Sequence, residues 1–336
     1  MSKKVILTGD RPTGNLHLGH YFGAVKQRID MQKDYDTYII IADVQGLTDN
    51  FDNPDKVRKN VYELCKDYLA LGVDPKYSKI FIQSKIPAIA ELTVFYSNLV
   101  TVNRLYRNPT IKSELATKET MFGNKGESIT YGFLGYPVSQ TADLTAFDCE
   151  ICPVGEDQVP HLEQAREIVR KFNNIYGETF KEPEAYLSKT PRIKGLDGND
   201  KMGKSLGNAI FITDDTETIA KKVMSAYTDP NKIRKDDKAN PDNCMVYYYH
   251  KLLGNENLKT ICSECMLGSR GCVDCKKELI EKMEAFLKPI REKRKYYEGN
   301  PEMVEKILKE GTEAAIKKSN EVLNRVKQNM KIDYFE

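Results

Sequence analysis

The chain has 336 residues, 40% of them hydrophobic, which is enough to build a core in each of two ordinary domains. Lys and Arg number 51 against 49 for Asp and Glu, so the formal charge of +2 supplies no whole-molecule field for polyanions, and any nucleic-acid contact must come from local basic patches. No stretch reaches the roughly 18 apolar residues of a membrane span, and the run Val5, Ile6, Leu7 is too short for a signal peptide, so the sequence reads as cytoplasmic.

In chain order, Val5–Leu7, Tyr38–Ala42 and Ile80–Gln83 read as buried strands. Tyr21–Gln32, Asp55–Leu71 and Ala88–Arg107 carry helix-period apolar spacing. Strand and helix in alternation imply an α/β fold, a Rossmann-type parallel sheet with helices on both faces. A helical insertion is expected from about 88 to 130, with a mobile loop at Gly123–Glu127. A second alternating block follows: a helix near Ile129–Phe147, a strand at Ile151–Val154 and a helix from about Asp157 to Tyr176. Lys189–Lys204, with Pro191, Gly195, Gly198 and Gly203, reads as a flexible joint. Beyond it nearly every periodic segment is helical, so residues 1–205 are expected to form the catalytic domain and 206–336 an all-helical one.

Two short motifs carry chemistry. The first strand runs into Thr8-Gly9-Asp10-Arg11-Pro12-Thr13-Gly14, then Asn15-Leu16-His17-Leu18-Gly19-His20 and a helix. A strand, a glycine-bearing loop and a helix N-terminus together favour phosphate, and two histidines in one helical turn can donate hydrogen bonds to it. The plainer alternative is a pair of capping or core-edge histidines, but half of the chain's four histidines sit in this one turn. The second motif is Lys201-Met202-Gly203-Lys204-Ser205, whose lysines suit a pyrophosphate leaving group that gains charge in the transition state. Alone, such a loop is an ordinary solvated surface.

His-Leu-Gly-His followed by Lys-Met-Gly-Lys-Ser resembles the two signature sequences of class I aminoacyl-tRNA synthetases. Within that class, Tyr136-Pro137-Val138 with Asp143 downstream, then Pro153-Val154-Gly155-Glu156-Asp157-Gln158 and His161-Leu162-Glu163, resembles the tryptophanyl branch, and the likeness covers nearly the whole chain. The resemblance implies ATP-dependent activation of L-tryptophan with Mg²⁺, transfer to tRNA(Trp), and a homodimer. It implies that Asp143 accepts the indole N–H, with Tyr136, Gln140 and Gln158 lining the amino-acid pocket. Gly155, Glu156 and Asp157 would approach the adenosine, Asp157 taking the ribose hydroxyls, although both acids could instead merely cap the next helix. Arg11, Pro12, Thr13, Gly19 and His20 would contact ATP from the other side, and Ile193 would give adenine a backbone contact. Lys112 would join Lys201, Met202, Gly203, Lys204 and Ser205 around the triphosphate, with His17, His20, Lys201, Lys204 and Ser205 as the catalytic set. Most bacterial members have Gln at the position of Arg11, Asn at that of His20 and Ser at that of Gly203. His20 keeps the tyrosyl branch open as an alternative, and a small-molecule nucleotidylyltransferase shares the His-x-Gly-His chemistry.

Five of the eight cysteines crowd together: Cys262-x₂-Cys265-x₆-Cys272-x₂-Cys275, with Cys244 upstream. In a reducing compartment that spacing favours Zn²⁺ or an iron–sulfur cluster over disulfides. A subset of the tryptophanyl branch has a similar run and holds a [4Fe–4S] cluster; by that likeness Cys244, Cys265, Cys272 and Cys275 are the ligands and Cys262 is spare. A zinc site using Cys262 stays open. Finally, Pro289-Ile290-Arg291-Glu292-Lys293-Arg294-Lys295-Tyr296-Tyr297 sets basic residues beside stackable rings, which suits single-stranded RNA or simply a solvated helix face.

Overall fold

The structure, a computed structural model, describes residues 3–122, 129–155, 158–187 and 192–335. The apolar runs become a five-stranded sheet: β1 (Val5–Asp10), β2 (Asp36–Ile41), β3 (Ser78–Ile82), β4 (Ile151–Val154) and β5 (Glu184–Leu187). All pairings are parallel and the order is β3-β2-β1-β4-β5, so the chain starts in the middle, winds to one edge, and then returns to build the other. β1 extends three residues beyond its apolar run because Thr8, Gly9 and Asp10 stay in register with Ile39, Ile40 and Ile41. β5 is not announced by its sequence: Glu184, Tyr186 and Leu187 are exposed on an edge strand, so no buried run marks it.

Helices connect the strands. α1 (Leu18–His20) runs through a π-helical turn, Tyr21–Val25, into α2 (Lys26–Met31), and α3 (Asp43–Gly46) follows β2. α4 (Pro54–Leu71) starts where the Asn53 side chain accepts the Lys56 N–H and stops at Gly72, whose φ of 113° few other residues tolerate. The helix expected over 88–107 is broken into α5 (Pro87–Ser97) and α6 (Val102–Tyr106), because Thr101 adopts an extended backbone and caps a new start by accepting the Arg104 N–H. α7 (Pro109–Phe122), α8 (Tyr131–Thr145) and α9 (Val159–Tyr176) complete this part. The expected mobile loop at 123–127 lies outside the described residues, as do 188–191 of the expected joint. The rest of that joint is knitted: Met202 N donates to Ile193 O at 2.9 Å, and Asn208 Nδ2 reaches both Asp197 and Lys201.

After residue 205 come α10 (Thr216–Met224), α11 (Met245–Leu252), α12 (Leu258–Leu267), α13 (Cys272–Glu298) and α14 (Pro301–Met330). The last two turn back onto the sheet. α13 packs along α4, and α14 covers the free edge of β3, where the Thr312 hydroxyl takes the Ile82 N–H. One apolar core therefore holds residues from both ends of the chain, such as Ile39, Leu64, Leu287 and Leu308. Among the described residues no helix is long and apolar enough to cross a membrane. The approach of α14 to β3 depends on Gly311, where an added Cβ would lie 2.0 Å from the Ile80 carbonyl oxygen. Both sides of that contact are backbone and cannot swing aside, so Gly311→Ala is expected to cost about 1–3 kcal/mol. Urea denaturation would read this as a lower midpoint with an unchanged slope.

Candidate active site

In an open parallel sheet the winding reverses at one point, and a crevice opens there beyond the strand C-termini. Here the reversal lies between β1 and β4. A cavity of ≈ 330 Å³ sits at that point, floored by Leu7 to Arg11 on one side and Cys152 to Gly155 on the other. α8 contributes Gln140 and Asp143 to its wall, and Gln158 closes it beside the start of α9.

Asp143 is buried and faces neutral donors. Gln45 Nε2 donates to its Oδ2 at 2.8 Å and Gln83 Nε2 to its Oδ1 at 2.8 Å. Burial pushes its carboxyl up to about 7 against the opposing pull of the Gln83 amide. Gln83 also braces its partner, accepting the Gln45 backbone N–H at 3.2 Å. Sequence reasoning missed both glutamines. The available signal was position: Gln83 directly follows β3, and Gln45 lies on α3 just beyond β2, the end of the sheet where α/β folds place ligand-binding residues.

Tyr136 stands at a smaller adjoining cavity of ≈ 90 Å³ that Arg11, Gln45, Gln140 and Gln158 also line. Its hydroxyl donates to Glu114 Oε2 at 3.0 Å and lies 3.0 Å from His161 Nε2. Burial, with the Glu114 charge beside it, pushes the Tyr136 phenol well above its usual range. Glu114 is thus a residue of this corner that the motifs did not single out, and His161 comes from the His161-Leu162-Glu163 motif. Arg11 is exposed and pairs with Asp49 at 2.9 Å.

The two signature loops meet. Gly19 N donates to Met202 Sδ at 3.3 Å, and Lys204 Nζ donates to Gly14 O at 2.8 Å. Behind them the segment after the second signature pairs with the first: Leu18 N donates to Ile210 O and Ile212 N to Leu16 O. The His17 and His20 rings lie 3.7 Å apart, and His17 N donates to His20 Nδ1 at 3.1 Å. A Cβ on Gly19 would come within 2.8 Å of the His17 ring, so this turn admits glycine alone without displacing the imidazole. Burial lowers His17 to about 3, helped by the charges of His20 and Lys204, and lowers His20 to about 4 against the pull of Asp10. Both rings are therefore neutral at pH 7. Burial also lowers Lys204.

Below the rings lies a buried ion pair that the motifs did not reveal. Arg28 Nη1 reaches Asp10 Oδ2 at 2.5 Å, and the Tyr68 hydroxyl donates to the same oxygen at 2.6 Å. Burial would raise Asp10, but Arg28 holds it well below the carboxylate range, so a fixed negative charge faces His20.

The remaining predicted residues fall as follows. Gly155 lines the cavity and Pro12 and Thr13 form the turn after β1, Thr13 N donating to Arg11 O. Ile193 is buried with its carbonyl bonded to Met202 N, and Gly203 N donates to Asn208 Oδ1. Lys201 is exposed on the second loop. Lys112 is exposed on α7 and is not among the cavity-lining residues. Glu156, Asp157 and the Ser205 side chain lie outside the described residues.

In the helical part, Cys244, Cys265, Cys272 and Cys275 all line one small cavity, whereas Cys262 does not and instead has its Sγ 3.9 Å from Met266 Sδ. Lys232 and Arg270 border the same cavity. Burial raises Cys244 and Cys265, and raises Cys275 to about 11 in spite of Arg270. Among the described residues no group of three or more His, Cys, Asp or Glu side chains is arranged to hold a metal ion.

Residues 2–288 match the family model described as tRNA synthetases class I (W and Y). The chain belongs to that family. This synthetase is 48% identical over its full length to a tryptophan–tRNA ligase of Clostridium longisporum, covering 99% of it, and 47% identical to one of Streptococcus mutans, covering all of it. Its structure resembles a tryptophanyl-tRNA synthetase of Campylobacter jejuni solved with ADP and tryptophan, with a TM-score of 0.87 and 32% identity over 97% of this chain and 99% of that one.

Because Gln83 supplies the hydrogen bond that opposes burial at Asp143, Gln83→Leu is expected to raise the Asp143 pKa above 7. Carboxyl-carbon NMR of selectively labelled protein would follow it. An unmoved titration would mean that Gln83 does not hold the carboxylate in solution.

Proposed function

We propose that this synthetase is a tryptophan–tRNA ligase: it activates L-tryptophan with ATP to tryptophanyl-adenylate and pyrophosphate, then esterifies tRNA(Trp). The observation that carries the reading is Asp143, a buried hydrogen-bond acceptor in the wall of the switch-point cavity, close in the fold to two joined phosphate-binding loops. A ligand lacking a donor would leave that acceptor stranded, and sites of this kind reject such analogues by about 10⁴–10⁵. Phenylalanine is thereby excluded. The full-length relatives support tryptophan over tyrosine.

In this reading Asp143 accepts the indole N–H, while Gln140, Gln158 and Tyr136 hold the amino-acid end. The tryptophan carboxylate attacks the α-phosphate in line, and no side chain serves as nucleophile. His17 and His20 donate neutral N–H groups to the phosphate as charge develops, and Lys201 and Lys204 close on the leaving pyrophosphate, which arrives with Mg²⁺. Gly155, Glu156 and Asp157 take the adenosine, and residues 206–336 read the tRNA. A homodimer working in the cytoplasm completes the reading by family likeness.

The test is pyrophosphate exchange into ATP with each amino acid in turn. Exchange should require tryptophan, and Asp143→Ala should abolish it. The pH dependence has a fixed sign. An indole N–H favours the charged acceptor, so tryptophan affinity should rise as Asp143 ionises between about pH 6 and 8, and the Asp143→Asn enzyme should show no such rise. The chain has no tryptophan of its own, so fluorescence excited near 295 nm comes from the ligand, and its change on adding protein reads binding. Preference for tyrosine would transfer the assignment to the tyrosyl branch.

By family likeness the proposal extends to a [4Fe–4S] cluster held by Cys244, Cys265, Cys272 and Cys275. All four line one small cavity, and Lys232 and Arg270 at its border would balance the negative charge of a thiolate-bound cluster. Its contribution would be structural, tying the start of α13 to α12 and to Cys244. Protein purified without oxygen should be brown and contain about four iron per chain. Colourless protein with about one zinc per chain would replace the cluster with a structural zinc site.

A further inference from the structure

Asp67 stands near the C-terminal end of α4 with no exposure, and its two oxygens serve two distant parts of the chain. Oδ2 accepts the backbone N–H of Leu16 at 2.9 Å, immediately before His17. Oδ1 accepts Arg294 Nε at 2.7 Å, from α13 and 227 residues further on. Arg294 is itself buried and grips Glu63 and Glu298 with its remaining nitrogens. Burial raises the Asp67 carboxyl, while Arg294 and the Leu16 amide pull it down.

A buried ion pair is a poor way merely to pack two helices, since well-fitted apolar residues do as well or better. α4 and α13 already share apolar contacts through Leu64, Leu279, Met283 and Leu287. The pair does something leucines could not: it presents an acceptor to a buried amide of the first signature. The Leu16 carbonyl is taken by Ile212 and the Leu18 amide by Ile210, and Asp67 supplies the acceptor for the Leu16 amide next to His17.

We propose that Asp67 and Arg294 are positioning residues for the activation step: Arg294 orients Asp67, Asp67 fixes the Leu16 amide, and the His17 ring is thereby held for the phosphate. This rests on the reading of the chain as an ATP-dependent ligase. α13 begins at Cys272 and runs 27 residues, about 40 Å, so a single helix joins the cysteine cavity to the loop carrying His17. A shift of α13 reaches the ATP site through one hydrogen-bonded chain.

Asp67→Asn tests this in the full-length protein. One amide oxygen cannot serve both Leu16 and Arg294, and the amide nitrogen would face a donor. In pyrophosphate exchange kcat should fall about tenfold to a hundredfold, the loss typical of a slightly misplaced group, with the KM for tryptophan unchanged. Arg294→Met should behave likewise, and Arg294→Lys, which keeps the charge, should recover part of the rate and is the variant to use where Asp67→Asn does not fold. The double change Asp67→Leu with Arg294→Leu should regain part of the thermal midpoint lost in Arg294→Leu, the Leu16 amide being left without an acceptor, while leaving activation slow. Wild-type kcat in folded Asp67→Asn, or a double variant that regains rate and midpoint together, would overturn the proposal and leave the pair a packing device. A wild-type enzyme without tryptophan-dependent exchange would overturn the assigned reaction instead. Amide hydrogen exchange at Leu16, slow in the wild type and faster in Asp67→Asn, would then still decide the relay.

Discussion

The reversal of strand order between β1 and β4 is the constraint on which the rest of the site depends. Parallel strands must be joined by crossovers, and where the crossovers change direction no helix covers the strand ends. Several polar groups of the site hang from such ends: Asp10 and Arg11 from β1, Gln83 from the end of β3 and Gly155 from β4, while Gln45 sits on α3 just beyond β2. These strands are buried on both faces, so their positions are set by the core, and the groups at their tips inherit that rigidity.

Charge inside the protein is handled in two ways. Asp10 meets Arg28 and Asp67 meets Arg294, each carboxylate facing a guanidinium in a buried site. Asp143 is met by two amides, which orient it without cancelling its charge. The pairs fix structure, since their electrostatics are already satisfied. The amide-held carboxylate keeps a strong unmet demand for a donor, and burial raises its pKa because that demand is unmet. A ligand N–H entering the cavity therefore gains more at Asp143 than at either paired acid.

The α/β order, four of the five strands and both signature loops were legible because they are local: apolar runs of strand length, helix periodicity and short motifs. β5 was not, since an exposed edge strand is stabilised by pairing with β4 and has no buried run of its own. The division of 88–107 was hidden because Thr101 breaks the helix through its backbone angles while the apolar spacing continues past it. Gln45, Gln83, Asp67 and Arg294 were illegible for a different reason. Each acts through a partner 38 to 227 residues away, and beyond the place of the two glutamines after a strand end nothing in the local sequence distinguishes a glutamine that braces a buried acid from one that faces water. The cysteines set apart by likeness do line one cavity, with Cys262 turned elsewhere, but among the described residues they form no group arranged to hold a metal ion.

The neutrality of His17 and His20 has a consequence for how the two signatures share their work. Two imidazolium rings 3.7 Å apart beside Lys204 would repel one another and the lysine, and burial makes that arrangement costlier still. Kept neutral, the rings still carry N–H donors but add no charge of their own, so they attract an entering triphosphate only weakly. A dipolar donor gains most when charge concentrates on the oxygen it faces, which happens as the α-phosphate is attacked. Lys204, by contrast, is a full charge held on the Gly14 carbonyl, within the first signature itself. In the proposed reaction the lysines would then draw in the phosphates and hold the leaving pyrophosphate while the histidines would act at the α-phosphate, a division that would depend on the His17 segment being held still by Asp67 and by the 210–212 segment.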